Sequence, residues 1–556
     1  MQDKECQTDL TRNHITLIAV LGAILLWFSQ PPFGFWWAAY FALVPWLVLV
    51  RTPQRFLKGD YVRIWLVAGI YWAVSLQGLR HANPLIYPCW LALSGYLAIY
   101  VVLFVLVCRQ MSRRIPLWVA APVCLVGAEC ARNYMLTGIS AAMLGHTQVD
   151  MPLMIQIADI FGSYGVGFVV ASINVAIFEL VHYARKKETL SRLIPSVVIA
   201  AGLVAATVVY GNFRLNQTGT ETLATFALIQ RSEPVEYAQD SEREIEIFEA
   251  YERQSVRALA SAKTEVDAVV WPESMYTGDL PLMLVGQLTT VPKASELSLT
   301  EFLDGAYEMQ QMFEIRSSDL QIALASKKQS RSKPHLIAGC GVLDFRDRPY
   351  QFSGVVHVGP ASKVEDWYGK QHRVMFGEYI PILEWFSALD GIVPKIDVGP
   401  IPKAFSVNGT RVSPNVCIET AVERVTLGQL AQLRALDQMP DVVVTVTNDA
   451  WFDESSVVEH HLRCAQLVAV GCRRPILSAA NNGPTAWIAS DGSVTQRLDV
   501  GSQGDIIATP IRDDRVSVYL RIGDWPARIL TLLCLGFLIA SFRDRNAETH
   551  APATEV

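Results

Sequence analysis

The sequence predicts a polytopic α-helical membrane bundle of about eight spans, with a layered α/β domain inserted before the last span. Composition and its distribution along the chain support this fold class. Hydrophobic residues make up 51% of the 556-residue chain and charged residues 18%, and the mean hydropathy is +0.26. The apolar residues are concentrated in 15–210 and 526–541, whereas 220–512 has the mixed composition of a soluble domain. A chain of this length is also too long for one ordinary domain.

Each predicted span is long and apolar enough for a transmembrane helix, which needs about 20 residues. The spans lie at 14–29, 34–50, 62–79, 89–108, 116–134, 164–183, 193–211 and 525–542. The fifth carries Glu129 and Arg132 near its end. No cleavage site of the signal-peptide kind follows the first, so the sequence predicts that it is a retained helix.

Basic residues alternate between the loops that connect these spans. Lys and Arg cluster after the second, fourth, sixth and eighth spans, whereas 30–33 has none and 80–88 has only Arg80. Because basic loops stay in the cytoplasm, both termini are predicted to be cytoplasmic and the inserted domain to lie on the opposite side. The predicted division is a cytoplasmic tail at 1–13, a seven-helix membrane domain at 14–211, an extracytoplasmic domain at 212–520, a C-terminal transmembrane helix at 521–543 and a second cytoplasmic tail at 544–556.

The inserted domain alternates strand-like and helix-like segments, which predicts a layered α/β structure. Amphipathic helical patterns occupy 241–262, 301–327 and 457–472. Strand-like runs occupy 223–230, 266–271, 335–342, 353–358, 411–417, 441–447, 475–480, 485–490 and 504–509. Two long loops with apolar runs, 277–299 and 382–405, are predicted either to form lids or binding loops or to pack against the domain.

Charge and cysteine usage bear on other classes of partner. The net charge of −6 gives no indication of a nucleic-acid partner. The ten cysteines include no Cys-x-x-Cys pair and no Cys/His set at zinc spacing, so neither a metal nor a cofactor is predicted. A disulfide within the soluble domain is compatible with the sequence.

Three residues of the inserted domain form a candidate catalytic set, each at or near the end of a predicted strand. Glu273 ends a Trp-Pro-Glu motif, Lys370 ends Tyr-Gly-Lys, and Cys417 ends an apolar run. A thiol becomes a strong nucleophile when a base removes its proton, and Glu273 can act as that base. Lys370 can stabilise negative charge on the thiolate and on a tetrahedral carbonyl oxygen. Taken singly, each residue also fits a structural role, as a buried thiol, a helix cap or a surface charge.

Longer motifs around these residues resemble those of a known family. Val270-Trp-Pro-Glu273, Lys370 and Cys417 with Glu419 are similar to the Glu-Lys-Cys triad of the nitrilase (carbon–nitrogen hydrolase) superfamily. More narrowly, nearly the whole chain resembles the apolipoprotein N-acyltransferase family. The motifs that carry this resemblance are Lys370-Gln-His-Arg-Val-Met-Phe-Gly-Glu-Tyr-Ile-Pro381, Thr447-Asn-Asp-Ala-Trp-Phe452 and Asn481-Asn-Gly483. The resemblance implies that the inserted domain is a nitrilase-like α-β-β-α sandwich.

The resemblance also implies a ping-pong reaction in a bacterial inner membrane, with the catalytic domain on the periplasmic side. Cys417, as nucleophile, would take an acyl chain from the sn-1 position of a phospholipid. The resulting thioester would pass the chain to the α-amine of an S-diacylglyceryl cysteine at the N-terminus of a lipoprotein, the last step of lipoprotein maturation. Glu273 would accept the proton and Lys370 would stabilise charge. Glu378 and Glu419 would support the site or form local salt bridges.

Two other functions fit the same residues. A membrane-anchored nitrilase or amidase would use the triad with water in the second step, although one anchoring helix would suffice for it. The non-enzymatic alternative is a lipid- or lipoprotein-binding membrane protein with a relic site, against which the intact triad argues. The sequence also departs from the family pattern at Ile418, Met375 and Ser478, where the family has an aromatic residue, Pro and Arg. These departures bear on substrate specificity more than on the reaction.

Overall fold

The chain divides into two compact units in a computed structural model. The first unit comprises Met1–Asn216 and Ile522–Val556 and is helical, and the second comprises Gln217–Arg521 and is an α/β domain. The structure describes residues 12–82, 86–186, 193–217, 219–235, 240–286, 288, 291, 295–326, 332–381 and 395–550.

The helical unit contains most of the apolar residues that the hydropathy pattern singles out. Its elements before the α/β domain are α1 Arg12–Ser29, α2 Ala39–Ala42, α3 Val44–Arg51, α4 Lys58–Ser75, α5 Tyr87–Met111, α6 Leu117–Tyr134, α7 Pro152–Ile155, α8 Ala158–Lys186 and α9 Ile194–Leu215. Its last helix, Trp525–His550, follows the α/β domain in the chain.

All of the predicted spans coincide with helices of this unit, but fewer than eight of these helices meet the requirements of length and composition for crossing a membrane. Four described helices meet them, and two more are apolar but shorter. The four are Arg12–Ser29, Tyr87–Met111, Ala158–Ala184 and Ile194–Leu215, and the shorter two are Trp36–Arg51 and Trp525–Ala540. A membrane-embedded helical part is therefore supported, whereas the count of eight stays a prediction.

The predicted span at 34–50 corresponds to the shorter apolar helix Trp36–Arg51, which is not one continuous α-helix. The segment consists of a 3-10 turn at Trp36–Ala38 followed by α2 and α3. The helix is interrupted because Pro45 has no N–H with which to continue the hydrogen-bond ladder back to Phe41.

The two charges in α6 are buried inside the helical unit, with Glu129 7% exposed and Arg132 4% exposed. Glu129 Oε1 accepts the backbone N–H of Leu144 at 2.7 Å. Arg132 donates to the Ala141 carbonyl at 3.1 Å, and its guanidinium lies 5.0 Å from the centre of the Trp72 ring. Charged residues of membrane helices face the bundle interior and find polar partners there, so these two charges are compatible with α6 as a span.

The α/β domain follows α9. In chain order its elements are β1 Phe226–Gln230, α10 Ser241–Ser261, β2 Ala268–Trp271, β3 Leu282–Val285, α11 Leu299–Ser326, β4 His335–Phe345, β5 Tyr350–Val358, β6 Val364–Gly369, β7 Phe405–Val407, β8 Thr410–Val416, α12 Ile418–Ala421, α13 Glu423–Ala435, β9 Val442–Asn448, α14 Ser456–Cys472, β10 Ile476–Asn481, β11 Ala486–Ile488, β12 Val494–Arg497, β13 Gly504–Ala508 and α15 Val518–Ile522. The helix Trp525–His550 is α16.

Two sheets face each other in this domain. The first has the order β13-β1-β2-β4-β5-β6, with β3 paired to β4 off this path, and the second has the order β12-β11-β10-β9-β8-β7. In the first sheet β1, β2 and β4 are parallel, and in the second β8, β9 and β10 are parallel. One buried cluster joins the facing sides, through Phe226, Val270 and Ile337 of the first sheet and Val416 and Val444 of the second.

Helices cover the outer face of each sheet. Tyr251 of α10 and Phe313 of α11 pack on the first sheet, and Leu430 of α13 and Leu462 of α14 pack on the second. Helix α10 begins where the Asp240 side chain accepts a backbone N–H of the first turn. The layer order is α-β-β-α, so the predicted sandwich is confirmed.

Every predicted strand and helix of the domain overlaps an observed one, but β3, β6, β7, β12, α12, α13 and α15 were not predicted. The prediction of a continuous loop at 277–299 is wrong, since Leu282–Val285 forms β3 and pairs in parallel with β4. Met283 of β3 packs with Leu288 and Phe345, so the apolar run is covered within the domain. Residues 382–394 of the second predicted loop lie outside the described residues.

Candidate active site

The three predicted catalytic residues all follow strand ends. Glu273 lies two residues after β2, Lys370 directly follows β6, and Cys417 directly follows β8. Strand β6 is antiparallel to β5, which is antiparallel to β4, so β6 runs in the same direction as β2 and ends at the same edge of the sheet. The fold therefore brings Glu273 and Lys370 into contact although they are 97 positions apart.

Lys370 lies between two carboxylates and is 1% exposed. Its Nζ is 2.6 Å from Glu378 Oε1 and 3.4 Å from Glu273 Oε1. The second oxygen of Glu378 accepts the backbone N–H of Val374 at 2.8 Å. Burial lowers the pKa of Lys370, but the negative charges of Glu273, Cys417 and Glu378 outweigh it and hold that pKa well above its usual value. Lys370 is therefore a fixed positive charge.

Glu273 is a buried carboxylate with few hydrogen-bond donors. Its Oε1 accepts the Ser353 hydroxyl at 3.1 Å, and its Oε2 accepts the backbone N–H of Asn448 at 3.3 Å. Burial raises the pKa of Glu273, the charge of Lys370 lowers it and that of Glu378 raises it, with a net rise. A carboxylate with a raised pKa takes a proton more readily than an exposed one, which suits a general base.

Cys417 occupies a strained turn between β8 and α12. Its φ of 53° and ψ of −120° lie in a region that residues other than glycine rarely adopt. Its N–H donates to the Val446 carbonyl at 2.9 Å. Burial raises the pKa of the Cys417 thiol and the charge of Glu273 raises it further, whereas Lys370 lowers it. The resting form is a thiol, so nucleophilic attack requires proton transfer to a base.

Glu419 contacts the backbone around the site. It is fully buried, and its carboxylate accepts the N–H groups of Gln371 at 2.6 Å, His372 at 3.1 Å and Val416 at 2.8 Å. Both of its oxygens also lie 2.9 Å from the Tyr368 hydroxyl. The carboxylate thus ties the strand end that carries the lysine to the strand end that carries the thiol, which is compatible with the predicted supporting role.

His461, a residue not predicted from the sequence, contacts the backbone of Cys417. Its Nε2 is 3.0 Å from the Cys417 carbonyl oxygen and its Nδ1 is 3.4 Å from Asp449 Oδ1. Burial lowers the pKa of His461, but Asp449, the Cys417 carbonyl and the charge of Glu273 together raise it above its usual value. The sequence signal that could have revealed it is a histidine on the amphipathic helix that follows the Thr447–Phe452 motif.

With this geometry in hand, comparison with known proteins identifies the family. Residues 22–176 match the family model described as the apolipoprotein N-acyltransferase N-terminal domain. Over 537 residues the chain is 43% identical to an apolipoprotein N-acyltransferase of Rhodopirellula baltica, with 91% of this chain and 94% of that protein covered. This chain belongs to the apolipoprotein N-acyltransferase family.

Further relatives have lower identity. An apolipoprotein N-acyltransferase of Geobacter metallireducens is 28% identical over 518 residues, with 91% of each chain covered. Among solved structures, an amidase of the nitrilase superfamily from Nesterenkonia is similar at 15% identity and a TM-score of 0.34, with 55% of this chain and 95% of that chain covered.

Two motifs that resemble the N-acyltransferase family meet behind Glu273. The Asn448 side-chain oxygen accepts the Asn481 amide at 3.0 Å. The Asn481 side-chain oxygen in turn accepts the Glu233 N–H at 3.0 Å and the Tyr251 hydroxyl at 3.1 Å. Because this amide network is buried, it fixes the backbone N–H of Asn448 that donates to the candidate base.

The departures from the N-acyltransferase pattern lie close to the site but leave the three predicted catalytic residues in place. Ile418 is the first residue of α12. Met375 forms an isolated bridge with Tyr379. Ser478 of β10 lines a small pocket beside His461.

Among the described residues, the side chains placed to hold a metal ion lie at the other end of the strands. Ligand atoms of His335, His357 and Glu365 are within 4.8 Å of one another. His335 Nδ1 and His357 Nε2 lie 3.0 Å apart and hydrogen-bond to each other. His335 is the first residue of β4, whereas the candidate active site is at the C-terminal ends of β2, β6 and β8. This group is therefore separate from the candidate catalytic set.

Proposed function

We propose that this protein transfers a fatty acyl chain from a phospholipid to the N-terminal α-amine of a diacylglyceryl lipoprotein, through a thioester on Cys417. The observation that carries the proposal is a thiol on a strained strand end, under the electrostatic influence of a buried carboxylate and of a lysine paired with two carboxylates. Membership of the N-acyltransferase family supports the substrate class. Four helices able to cross a membrane support embedding in the lipid that would supply the acyl chain.

In the first half-reaction Glu273 takes the proton of the Cys417 thiol, and the sulfur attacks the ester carbonyl at the sn-1 position. A carbon–sulfur bond forms, and the carbonyl oxygen becomes negative in the tetrahedral intermediate. Lys370 is the fixed positive charge available to stabilise that oxygen. The carbon–oxygen bond of the ester then breaks, and the leaving alkoxide takes the proton back from Glu273, which releases a lysophospholipid.

In the second half-reaction the neutral α-amine of the lipoprotein attacks the thioester carbonyl. Glu273 removes a proton from the nitrogen as the carbon–nitrogen bond forms. The carbon–sulfur bond then breaks, and the departing thiolate recovers the proton from Glu273. The same carboxylate therefore acts twice as base and twice as acid, in agreement with its raised pKa.

We also propose that the α/β domain works outside the cytoplasm of a bacterial inner membrane, with both termini inside. The alternation of basic loops supports this orientation. The proposed boundaries remain 1–13, 14–211, 212–520, 521–543 and 544–556. A reporter enzyme that works only outside the cytoplasm, fused after residue 215, is expected to be active. Activity only of a cytoplasmic reporter at that position would contradict the orientation.

The test of the proposed reaction is a covalent adduct. Purified protein incubated with phospholipid vesicles is expected to gain the mass of one acyl chain on the peptide that contains Cys417, in a form that hydroxylamine removes. Cys417→Ala should gain nothing. Cys89→Ala, which changes a half-buried thiol of α5, is the matched control and should react like the wild type.

Addition of a synthetic diacylglyceryl-cysteine peptide should then discharge the thioester and acylate the amine. Discharge to free fatty acid alone would instead support a hydrolase of the amidase type. Failure to form any acyl adduct in a preparation with a reactive thiol would refute the proposed mechanism.

A further inference from the structure

Both ring nitrogens of His461 face hydrogen-bond acceptors, one of which is the backbone carbonyl of the nucleophile. Its Nε2 faces the Cys417 carbonyl oxygen at 3.0 Å, and its Nδ1 faces Asp449 Oδ1 at 3.4 Å. A carbonyl oxygen and a carboxylate cannot donate a proton, and a neutral imidazole has only one N–H. Asp449 is 2% exposed and already accepts the Thr447 hydroxyl on the same oxygen at 3.0 Å, as a carboxylate does. Both contacts are satisfied together when His461 is an imidazolium.

We propose that His461, as an imidazolium held by Asp449, is a positioning residue for Cys417. It anchors the carbonyl of the nucleophile and balances a negative charge beside the thiol. The inference rests on the proposed acyl transfer for its role in the reaction, but the contacts themselves are independent of that function.

The first consequence concerns the backbone. A residue with a positive φ relaxes unless the groups on both of its sides are held. The N–H of Cys417 is held by the Val446 carbonyl at 2.9 Å, and its carbonyl is held by His461. These two bonds fix the turn that sets the direction of the thiol at the end of β8.

The second consequence concerns charge. Asp449 is one of the carboxylates whose charge raises the pKa of the Cys417 thiol, together with Glu273 and Glu378. An imidazolium next to Asp449 offsets that contribution. Without it, the thiolate would form beside one more uncompensated negative charge.

Among the described residues, the titratable groups that act on His461 are Asp449 in the turn after β9 and Glu273 after β2. Cys417 contributes its backbone carbonyl. The pocket beside the ring is otherwise lined by side chains that do not titrate, from α12, β9, β10 and α14: Thr420, Thr445, Ser478, Val458 and Leu462. The charge state of His461 therefore depends chiefly on Asp449 and on the catalytic carboxylate.

The experiment measures the pH dependence of Cys417 alkylation by iodoacetamide in the detergent-solubilised full chain, with peptide mass spectrometry as readout. His461→Gln keeps an amide N–H but removes the charge. It is expected to raise the apparent pKa of the thiol and to slow alkylation at neutral pH by roughly 10- to 100-fold, the factor that corresponds to loss of a charge-assisted hydrogen bond. Acyl-enzyme formation should slow with it. His460→Gln, on the same helix, is the matched control and should behave like the wild type.

Asp449→Asn provides a second, independent variant. If the imidazolium balances Asp449, removing that carboxylate also removes the group that keeps His461 protonated. One negative and one positive charge are then lost together, and their effects on the thiol cancel. Alkylation should then stay within about threefold of the wild type, and adding His461→Gln to Asp449→Asn should have little further effect. If His461 did not balance the charge of Asp449, Asp449→Asn would instead accelerate alkylation. This result can be read even if His461→Gln does not fold.

The proposal is overturned if His461→Gln is folded and leaves the alkylation profile unchanged, or if Asp449→Asn alone accelerates alkylation about tenfold or more. Failure of the proposed acyl transfer is a different result: wild-type Cys417 would be alkylated normally but would form no adduct with phospholipid.

Discussion

Replacing Glu378 by Gln separates the two effects of this carboxylate, which holds the ammonium of Lys370 in place and disfavours ionisation of the Cys417 thiol. Glu378 holds the ammonium of Lys370 at 2.6 Å and the backbone N–H of Val374 at 2.8 Å. Its charge also raises the pKa of Glu273 and of the Cys417 thiol. Glutamine keeps the size of the side chain and one oxygen acceptor but removes the charge. We therefore expect acyl transfer to slow while the thiol becomes easier to ionise.

The magnitude of the slowing follows from the geometry of the ion pair. At 2.6 Å and an effective dielectric constant of about 20, the Coulomb attraction between Lys370 and Glu378 is about 6 kcal/mol. Glu273 still pairs with Lys370 at 3.4 Å and the glutamine oxygen still accepts a hydrogen bond, so the net loss is closer to the value of a charge-assisted bond, about 2–3 kcal/mol. If this loss is expressed in the transition state, acyl-enzyme formation slows by roughly 30- to 160-fold.

The assay compares two rates on the same preparation. Thioester formation from phospholipid reports the complete site, and iodoacetamide alkylation of Cys417 reports the thiol alone. Glu378→Asp, which keeps the charge on a shorter side chain, is the matched control and should leave the alkylation profile close to that of the wild type. A parallel fall of both rates in Glu378→Gln would refute the reasoning, because it would mean that Glu378 acts by holding the fold of the site and not through its charge.

Two further outcomes follow from the same contacts. Glu419→Gln should lower the thermal unfolding temperature, because the amide NH2 that replaces one carboxylate oxygen cannot accept the backbone N–H groups that this oxygen accepts. The free energy of unfolding should fall by roughly 1–3 kcal/mol for each donor left unpaired, and an unchanged melting curve would contradict this. For Glu273 the raised pKa means that the base is still protonated at acid pH where an exposed glutamate would be ionised. The rate of thioester formation should therefore rise with pH through that raised pKa, and a rate that is flat between about pH 4 and pH 7 would exclude Glu273 as the base.

The sequence was sufficient to predict the residues whose chemistry is local. Glu273 and Cys417 each follow a recognisable apolar strand, whereas Lys370 was singled out by its motif and the strand before it was not predicted. The contact between Lys370 and Glu273 depends on the pairing of β6 in the first sheet, which the structure supplies. His461 could not be found in this way. It lies 44 positions from Cys417 and contacts the backbone carbonyl of Cys417 and the side chain of Asp449. The sequence places a histidine on the predicted amphipathic helix at 457–472, but no periodicity or spacing indicates these contacts.

The errors in the prediction of the fold also have local causes. Strand β6 was missed because Glu365 and Asp366 interrupt its apolar pattern, although pairing with β5 satisfies its backbone. Strand β3 lies in an apolar run inside a segment that was predicted to be a long loop, and only its pairing with β4 identifies it as a strand. The second predicted span contains a break between α2 and α3, just before Pro45. Hydropathy does not reveal this break, because it measures apolar character and not the missing hydrogen-bond donor of proline.

The charges of the site explain why a thiol that is neutral at rest is compatible with the proposed reaction. Burial and the carboxylates around Cys417 disfavour the thiolate, and Lys370 only partly offsets them. The sulfur therefore becomes negative mainly as it attacks, when Lys370 can stabilise the charge that moves to the carbonyl oxygen. The same excess of carboxylate attracts a cationic amino terminus over water as the second substrate, and the amine then attacks after it has lost a proton. Because Glu378→Gln removes one of these charges, it should shift discharge of the thioester from aminolysis toward hydrolysis. The ratio of acylated peptide to free fatty acid measures this balance, and a ratio unchanged from the wild type would mean that contacts with the lipid, and not charge, select the amine.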